Sequence, residues 1–183
     1  MILLIIDLGP VATLAPFFTT MIVWFNGLSQ RQLIDIPKRG FEIGCNYIRR
    51  VRPVDFVVAY DARVINKIER EQDVVYYTRE TNHSPGIWHR VGEGDMNGLN
   101  SGCLAVLLAT KLTHKPIYII GCDWGLNLKT VFDYGKGEQR KYNNQQKKFI
   151  GQLARENEII VVNDEKVDVP VEIITSSQFR NKY

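Results

Sequence analysis

Five short polar stretches carry the side chains that could do chemistry: Asn26-Gly27-Leu28-Ser29, Cys45-Asn46, Asp61, Asn100-Ser101-Gly102 and Gly121-Cys122-Asp123. Amides and hydroxyls dominate the set, and they offer donors and acceptors to neutral polar edges such as those of a base or ribose. Gly27 lets the backbone approach a ligand closely. The two carboxylates, Asp61 and Asp123, suit the positioning or deprotonation of a hydroxyl. Read as neighbouring strand ends, they also suit a magnesium ion whose shell is completed by water and phosphate oxygens. For Asp61, directly before Ala62-Arg63-Val64, capping of the next helix is the simpler alternative.

These stretches need elements to hold them. The central one opens the apolar, helix-forming run Cys103-Leu104-Ala105-Val106-Leu107-Leu108-Ala109. A basic break comes next, and then Pro116-Ile117-Tyr118-Ile119-Ile120 leads to Gly121. The pattern predicts loop, buried helix, buried strand and polar tip. The helix start would offer unsatisfied N–H groups beside two small residues, an anion site in waiting, with plain capping by Asn100 or Ser101 as the alternative.

Strands are also predicted over 21–25, 41–46, 54–61, 73–78 and 158–163, with short ones over 86–89 and 169–175. Helical spacing appears over 62–70, on Val64, Ile65 and Ile68, and over 142–157, on Phe149, Ile150 and Leu153. Strands alternating with helices predict an α/β three-layer sandwich with a mainly parallel, Rossmann-like sheet. Parallel strands deliver their terminal side chains to one crevice, which is where the polar stretches would meet.

The 183 residues fit a single domain, expected over 21–175, with an irregular leader or edge strand over 1–20 and a tail over 176–183. Met1-Ile2-Leu3-Leu4-Ile5-Ile6 is apolar, but Asp7, Pro10 and Pro16 interrupt the run from there on, so no membrane span is expected. A net charge of +3, with basic residues scattered, gives no case for nucleic acid as a partner. Cys45, Cys103 and Cys122 have no zinc-type spacing and lie within or at the end of apolar runs, as buried thiols of a cytoplasmic protein do. A catalytic Cys45 is the alternative, although no histidine pairs with it in sequence.

In their order and flanking strand pattern, the stretches resemble the superfamily that contains bacterial lipooligosaccharide sialyltransferases and the MptE-like pterin pyrophosphokinase domains; the resemblance covers 21–163. In the sialyltransferases an Asn-Gly-Pro-Ser turn after the first strand, an Asn after the second and a Ser-Gly at a central helix hold the cytidine nucleotide of an activated sugar. Asn26, Gly27, Ser29, Asn46, Ser101 and Gly102 stand at those motif positions, with Leu28 in place of the proline. The resemblance implies a nucleotide or nucleotide-sugar ligand and a small-molecule or glycan acceptor, with Tyr134 and Tyr142 in the place of the family's two tyrosines that help the phosphate leave; the polar, aromatic stretch over 124–137 itself reads as a lid on which Tyr134, Lys136 and Tyr142 work. The glycine-rich loop over 92–98 would lie near the same site.

The family's histidine base would fall after the Gly121-Cys122-Asp123 strand end, but the histidines here are His83, His89 and His114, all before it. His83 or His89 would have to act as a displaced base if Asp123 or Asp61 does not. The MptE-like relatives imply a second chemistry, magnesium-dependent diphosphate transfer from ATP, with Asp61 and Asp123 as metal ligands. A nucleotide-binding or interaction module without turnover is the third expectation, and self-association into a homo-oligomer stays open.

Overall fold

The computed structural model describes residues 20–38, 40–68, 74–79, 88–91, 99–124 and 143–183. Eight strands form one sheet among them: β1 Met21–Trp24, β2 Phe41–Cys45, β3 Phe56–Val58, β4 Val75–Arg79, β5 Trp88–Val91, β6 Ile117–Ile120, β7 Ile159–Val162 and β8 Glu172–Ile174. Their order across the sheet is β5-β4-β3-β2-β1-β6-β7-β8, and all seven pairings are parallel. The predicted Rossmann-like α/β sandwich is therefore the fold. Chain order runs outward from β1 to β5, then returns to the other side of β1 as β6. That reversal makes the β1–β6 boundary the topological switch point, where open α/β sheets bind ligands.

The inner strands are buried on both faces, so they read as apolar runs rather than alternating ones. Residues of odd number in β1, Met21 and Val23, pack with Phe25, Ile43, Phe56 and Ile119 under helix α2, Ser101–Leu112, and helix α3, Asn143–Leu153. Ile22 and Trp24 face the other way, toward Leu33, Ile48, Ile65 and Phe179. That second layer is thinner: 3-10 turns at Leu28–Gln32 and Ile48–Arg50, the four-residue helix α1, Ala62–Ile65, and helix α4, Ser176–Lys182.

Helix α2 is the central support. Nine of its twelve residues are buried, as expected of a helix apolar on nearly all sides. It packs across β1, β2, β3 and β6, so its first turn lies at the carboxyl ends of the middle strands.

A buried ion pair ties the thinner layer to the sheet. Arg52 grips both carboxylate oxygens of Glu42 at 2.6 Å, stacks over the Trp24 ring at 4.4 Å and donates to the Ile34 and Ile36 carbonyls. Trp24 Nε1 completes the carboxylate's shell at 2.8 Å. An ion pair out of water is tolerable only when its remaining groups are bonded in this way.

The expected tail over 176–183 is instead helix α4. Thr175 caps it in a reciprocal box with Gln178, and Phe179 enters the core with no exposed surface. The segments 1–19, 92–98 and 125–142, including Tyr134, Lys136 and Tyr142, lie outside the described residues, as does His83.

Candidate functional site

The carboxyl ends of β1, β2, β3 and β6 bring Asn26, Asn46, Tyr60 and Gly121–Trp124 to one edge, with the first turn of α2 among them. Asn46 occupies left-handed backbone at φ 52°, and Trp124 does so at φ 34°. Such conformations are uncommon outside glycine, and a bulky residue there is an outlier of the kind that gathers at functional sites.

Ser101 is a clamp. The Tyr60 backbone N–H donates to its Oγ at 2.9 Å, and that hydroxyl donates to Asn46 Oδ1 at 2.8 Å, locking the ends of β2 and β3 to the helix start. Asn100 caps the helix through its Oδ1, which accepts from Cys103 N–H at 2.9 Å, while its amide nitrogen reaches Gln146 of α3 at 3.1 Å. Both expected uses of this stretch thus coexist: the cap is real, and it leaves the N–H groups of Ser101 and Gly102 ahead of the helix's first i→i−4 bond, Leu104 to Asn100. Gly102 is required by packing, since a Cβ there would enter the Phe25 ring.

Asp123 is committed to the Asn26–Ser29 turn. One carboxylate oxygen accepts from Ser29 N–H at 3.3 Å and the other from the Ser29 hydroxyl. Gly27 N–H donates to the Gly121 carbonyl at 2.8 Å, and a Cβ at position 27 would lie 2.6 Å from Asp123 Cγ. Asp123 is 8% exposed, so the geometry makes it a brace for this turn before anything else.

Asp61 is different. It is exposed, and its side chain makes no capping bond to α1; only its carbonyl holds the helix start. The expectation that Asp61 and Asp123 stand at adjacent strand ends is overturned by the strand order. β3 and β6 are separated by β2 and β1, three strand spacings or about 14 Å, and ligands to one magnesium lie about 2 Å from it. Among the described residues no three His, Cys, Asp or Glu side chains gather as a metal site.

Several polar atoms at this edge are buried without a hydrogen-bond partner: Asn26 Oδ1, both amide atoms of Gln30 and Trp124 Nε1. Gln30 is fully buried, and its Cβ lies against Gly121. Native structures leave few such atoms, and each one asks for a ligand or a water. Gln30 and Trp124 escaped the sequence reading, as did Arg79, whose guanidinium covers the Tyr60 ring at 4.4 Å and donates to its hydroxyl at 3.2 Å. The signal for Arg79 was present: a cation directly after the strand predicted over 73–78.

The remaining candidates lie elsewhere. His89 packs tilted against Tyr77, ring centroids 5.4 Å apart, toward the sheet edge, and His114 is exposed after α2. Cys45 is 1% exposed, and burial, then the neighbouring Cys103, pushes its thiol far above the ordinary range, so it is no nucleophile. Among the described residues no helix is long and apolar enough to cross a membrane. No family model, no curated protein and no solved structure matches this chain.

Proposed function

We propose that the β1–β6 crevice binds a nucleotide, and that the chain is a transferase using a nucleotide-activated sugar. The observation that carries this reading is the group of buried polar atoms without partners, Asn26 Oδ1, the Gln30 amide and Trp124 Nε1, beside the switch point. Two donors and two acceptors suit a base or ribose edge better than an ion. The first turn of α2 supplies N–H groups for a phosphate or sugar carboxylate. The resemblance to the sialyltransferase superfamily points the same way, and the three unpaired thiols suit a cytoplasmic setting.

In this mechanism Asn26, Gly27, Ser29 and Asn46 shape the nucleotide site, with Asp123 and Ser101 holding the two turns. Asp61, the exposed carboxylate beside the Ser101 clamp, deprotonates or positions the acceptor hydroxyl. Magnesium-dependent diphosphate transfer loses its support with the separation of Asp61 from Asp123. A second reading, nucleotide binding without turnover, is favoured by one observation, that both Asp123 oxygens are occupied by Ser29.

A thermal-shift screen of cytidine, uridine, guanosine and adenosine nucleotides, with and without magnesium, tests the reading, because a ligand of the native state raises Tm. The expected result is a metal-independent shift with a pyrimidine nucleotide that Asn26→Ala removes. No shift with any nucleotide would overturn it. Donor hydrolysis lost in Asp61→Asn separates the transferase from the module without turnover.

A further inference from the structure

Gln30 occupies a position where packing alone would choose a leucine. It has no exposed surface, and Leu33 and Ile36, the next buried residues along the chain, belong to the second core layer. Its backbone is bonded: the N–H donates to the Gly27 carbonyl at 3.3 Å, and the carbonyl accepts from Leu33 N–H at 2.9 Å. The side chain is not. Neither amide atom has a hydrogen-bond partner among the described residues. The two other buried side-chain amides there are both bonded, Gln146 accepting from Asn100 at 3.1 Å and Asn163 from Glu165 N–H at 2.9 Å.

Burying one unbonded polar atom lowers stability, and Gln30 buries a donor and an acceptor together. A leucine of similar size would avoid that loss, but it could recognise nothing polar. Position gives the amide its use. Phe25 and Gly121 directly follow β1 and β6, and the Gln30 Cβ lies 3.0 Å from the place a Gly121 Cβ would take, so the residue stands at the switch point itself. A side-chain amide presents its N–H and C=O side by side in one plane, and a nucleobase edge with an acceptor beside a donor matches that pair. A phosphate offers acceptors only, and ribose hydroxyls fix no such plane.

We infer that Gln30 is the specificity residue for the base, taking its hydrogen-bonding edge in a two-point contact at the β1–β6 boundary. The assignment rests on the crevice binding a nucleotide, and it sets the ligand's direction: base inward against Gln30, phosphate toward the first turn of α2. The amide has no contact with solvent in this structure, so a base reaches it as the Leu28–Gln32 turn yields. That turn has no side-chain cap of its own and is held from outside, by Asp123 on Ser29.

The test is titration calorimetry of the full chain with cytidine, uridine, adenosine and guanosine monophosphates. Each is paired with a counterpart methylated on that edge: N4,N4-dimethylcytidine, 3-methyluridine, N6,N6-dimethyladenosine or 1-methylguanosine monophosphate. Methylation of the nucleotide that binds is expected to weaken it roughly tenfold or more in the wild type, the equivalent of one or two hydrogen bonds. Gln30→Leu is expected to weaken the parent nucleotide by a similar factor, to abolish most of the difference between parent and methylated forms, and to melt no lower than the wild type. Equal binding of both forms by the wild type, an unchanged parent affinity in Gln30→Leu, discrimination that persists in Gln30→Leu, or a lower Tm in that variant would each overturn the assignment. Unchanged affinity with a raised Tm would mean that a water, rather than a base, satisfies the amide. Those outcomes leave the crevice reading standing where Asn26→Ala still removes nucleotide binding, whereas no binding of any of the four nucleotides would overturn both.

Discussion

Gly27 shows how tightly the site is specified at the level of single residues. Its backbone N–H bonds to the Gly121 carbonyl, and the Asp123 carboxylate occupies the space a side chain would need. Gly27→Ala must push that carboxylate off Ser29 or open the β1–β6 boundary, an overpacking that costs about 1–3 kcal/mol. The expected outcome is a lower urea midpoint together with loss of nucleotide binding; an alanine variant with unchanged midpoint and binding would mean that Asp123 does not brace this turn. The identities of Asn26, Asn46, Ser101 and Asp123 as strand-end and helix-start residues were legible because each closes or opens an apolar run. Their partners were not. Ser101 meets Tyr60 and Asn46 across 41 and 55 residues of sequence, and nothing local tells a hydroxyl that clamps from one that awaits a ligand. Gln30 was invisible for a related reason: a glutamine after a strand looks like surface, and only the approach of Gly121, 91 positions on by number, buries it.

Among elements, the strands and the two long helices were readable from period and composition, and α4 was not. Its sequence, Ser176-Ser177-Gln178-Phe179-Arg180-Asn181-Lys182, has one apolar residue, too few to establish a helical stripe. What makes it a helix is the cap at Thr175 and the burial of Phe179 between Tyr118 and Tyr183, at ring separations of 5.1 and 5.0 Å. Its first residue also reaches back to the turn after β1, where the Ser176 hydroxyl donates to Gln32 at 2.9 Å. Phe179→Ala should therefore cost about 3–5 kcal/mol, as for a large buried aromatic, and a chain ending at Thr175 should lose at least as much. A truncated chain with the full urea midpoint would restore the reading of this segment as a tail. Strand order was the other element-level gap, because sequence order says nothing about which side of β1 receives β6. Asp61 and Asp123 looked adjacent only for that reason.

At the scale of the whole molecule, the face beneath α2 and α3 is closed tightly enough to hold three thiols out of water. Cys45 ends β2, Cys103 lies in the first turn of α2 and Cys122 comes after β6; all are at most 2% exposed. Burial raises each thiol's pKa, and for Cys45 and Cys122 the neighbouring Cys103 adds to the effect. For Cys103 burial outweighs the helix-start hydrogen bonds that lower it, and the group is pushed up to about 12 from an ordinary value of 9.0. A pKa raised by folding contributes stability that is complete below the unfolded value and is lost as pH rises through the folded one. Between about pH 9 and pH 12 the unfolded chain therefore sheds this proton while the native chain keeps it, at roughly 1.4 kcal/mol per pH unit. Urea midpoints should accordingly stay level through pH 7–8 and fall above pH 9. Cys103→Ala should fall less steeply over the same range, even if a small cavity lowers its starting value. In native protein at pH 8, iodoacetamide should modify none of the three, and labelling should begin only with global unfolding. An equal alkaline slope in Cys103→Ala, or labelling of Cys103 ahead of unfolding, would mean that the α2 face opens independently of the sheet. The strand ends that α2 clamps would then form a site assembled on demand, and the crevice geometry at Asn46 and Ser101 would describe only its closed state.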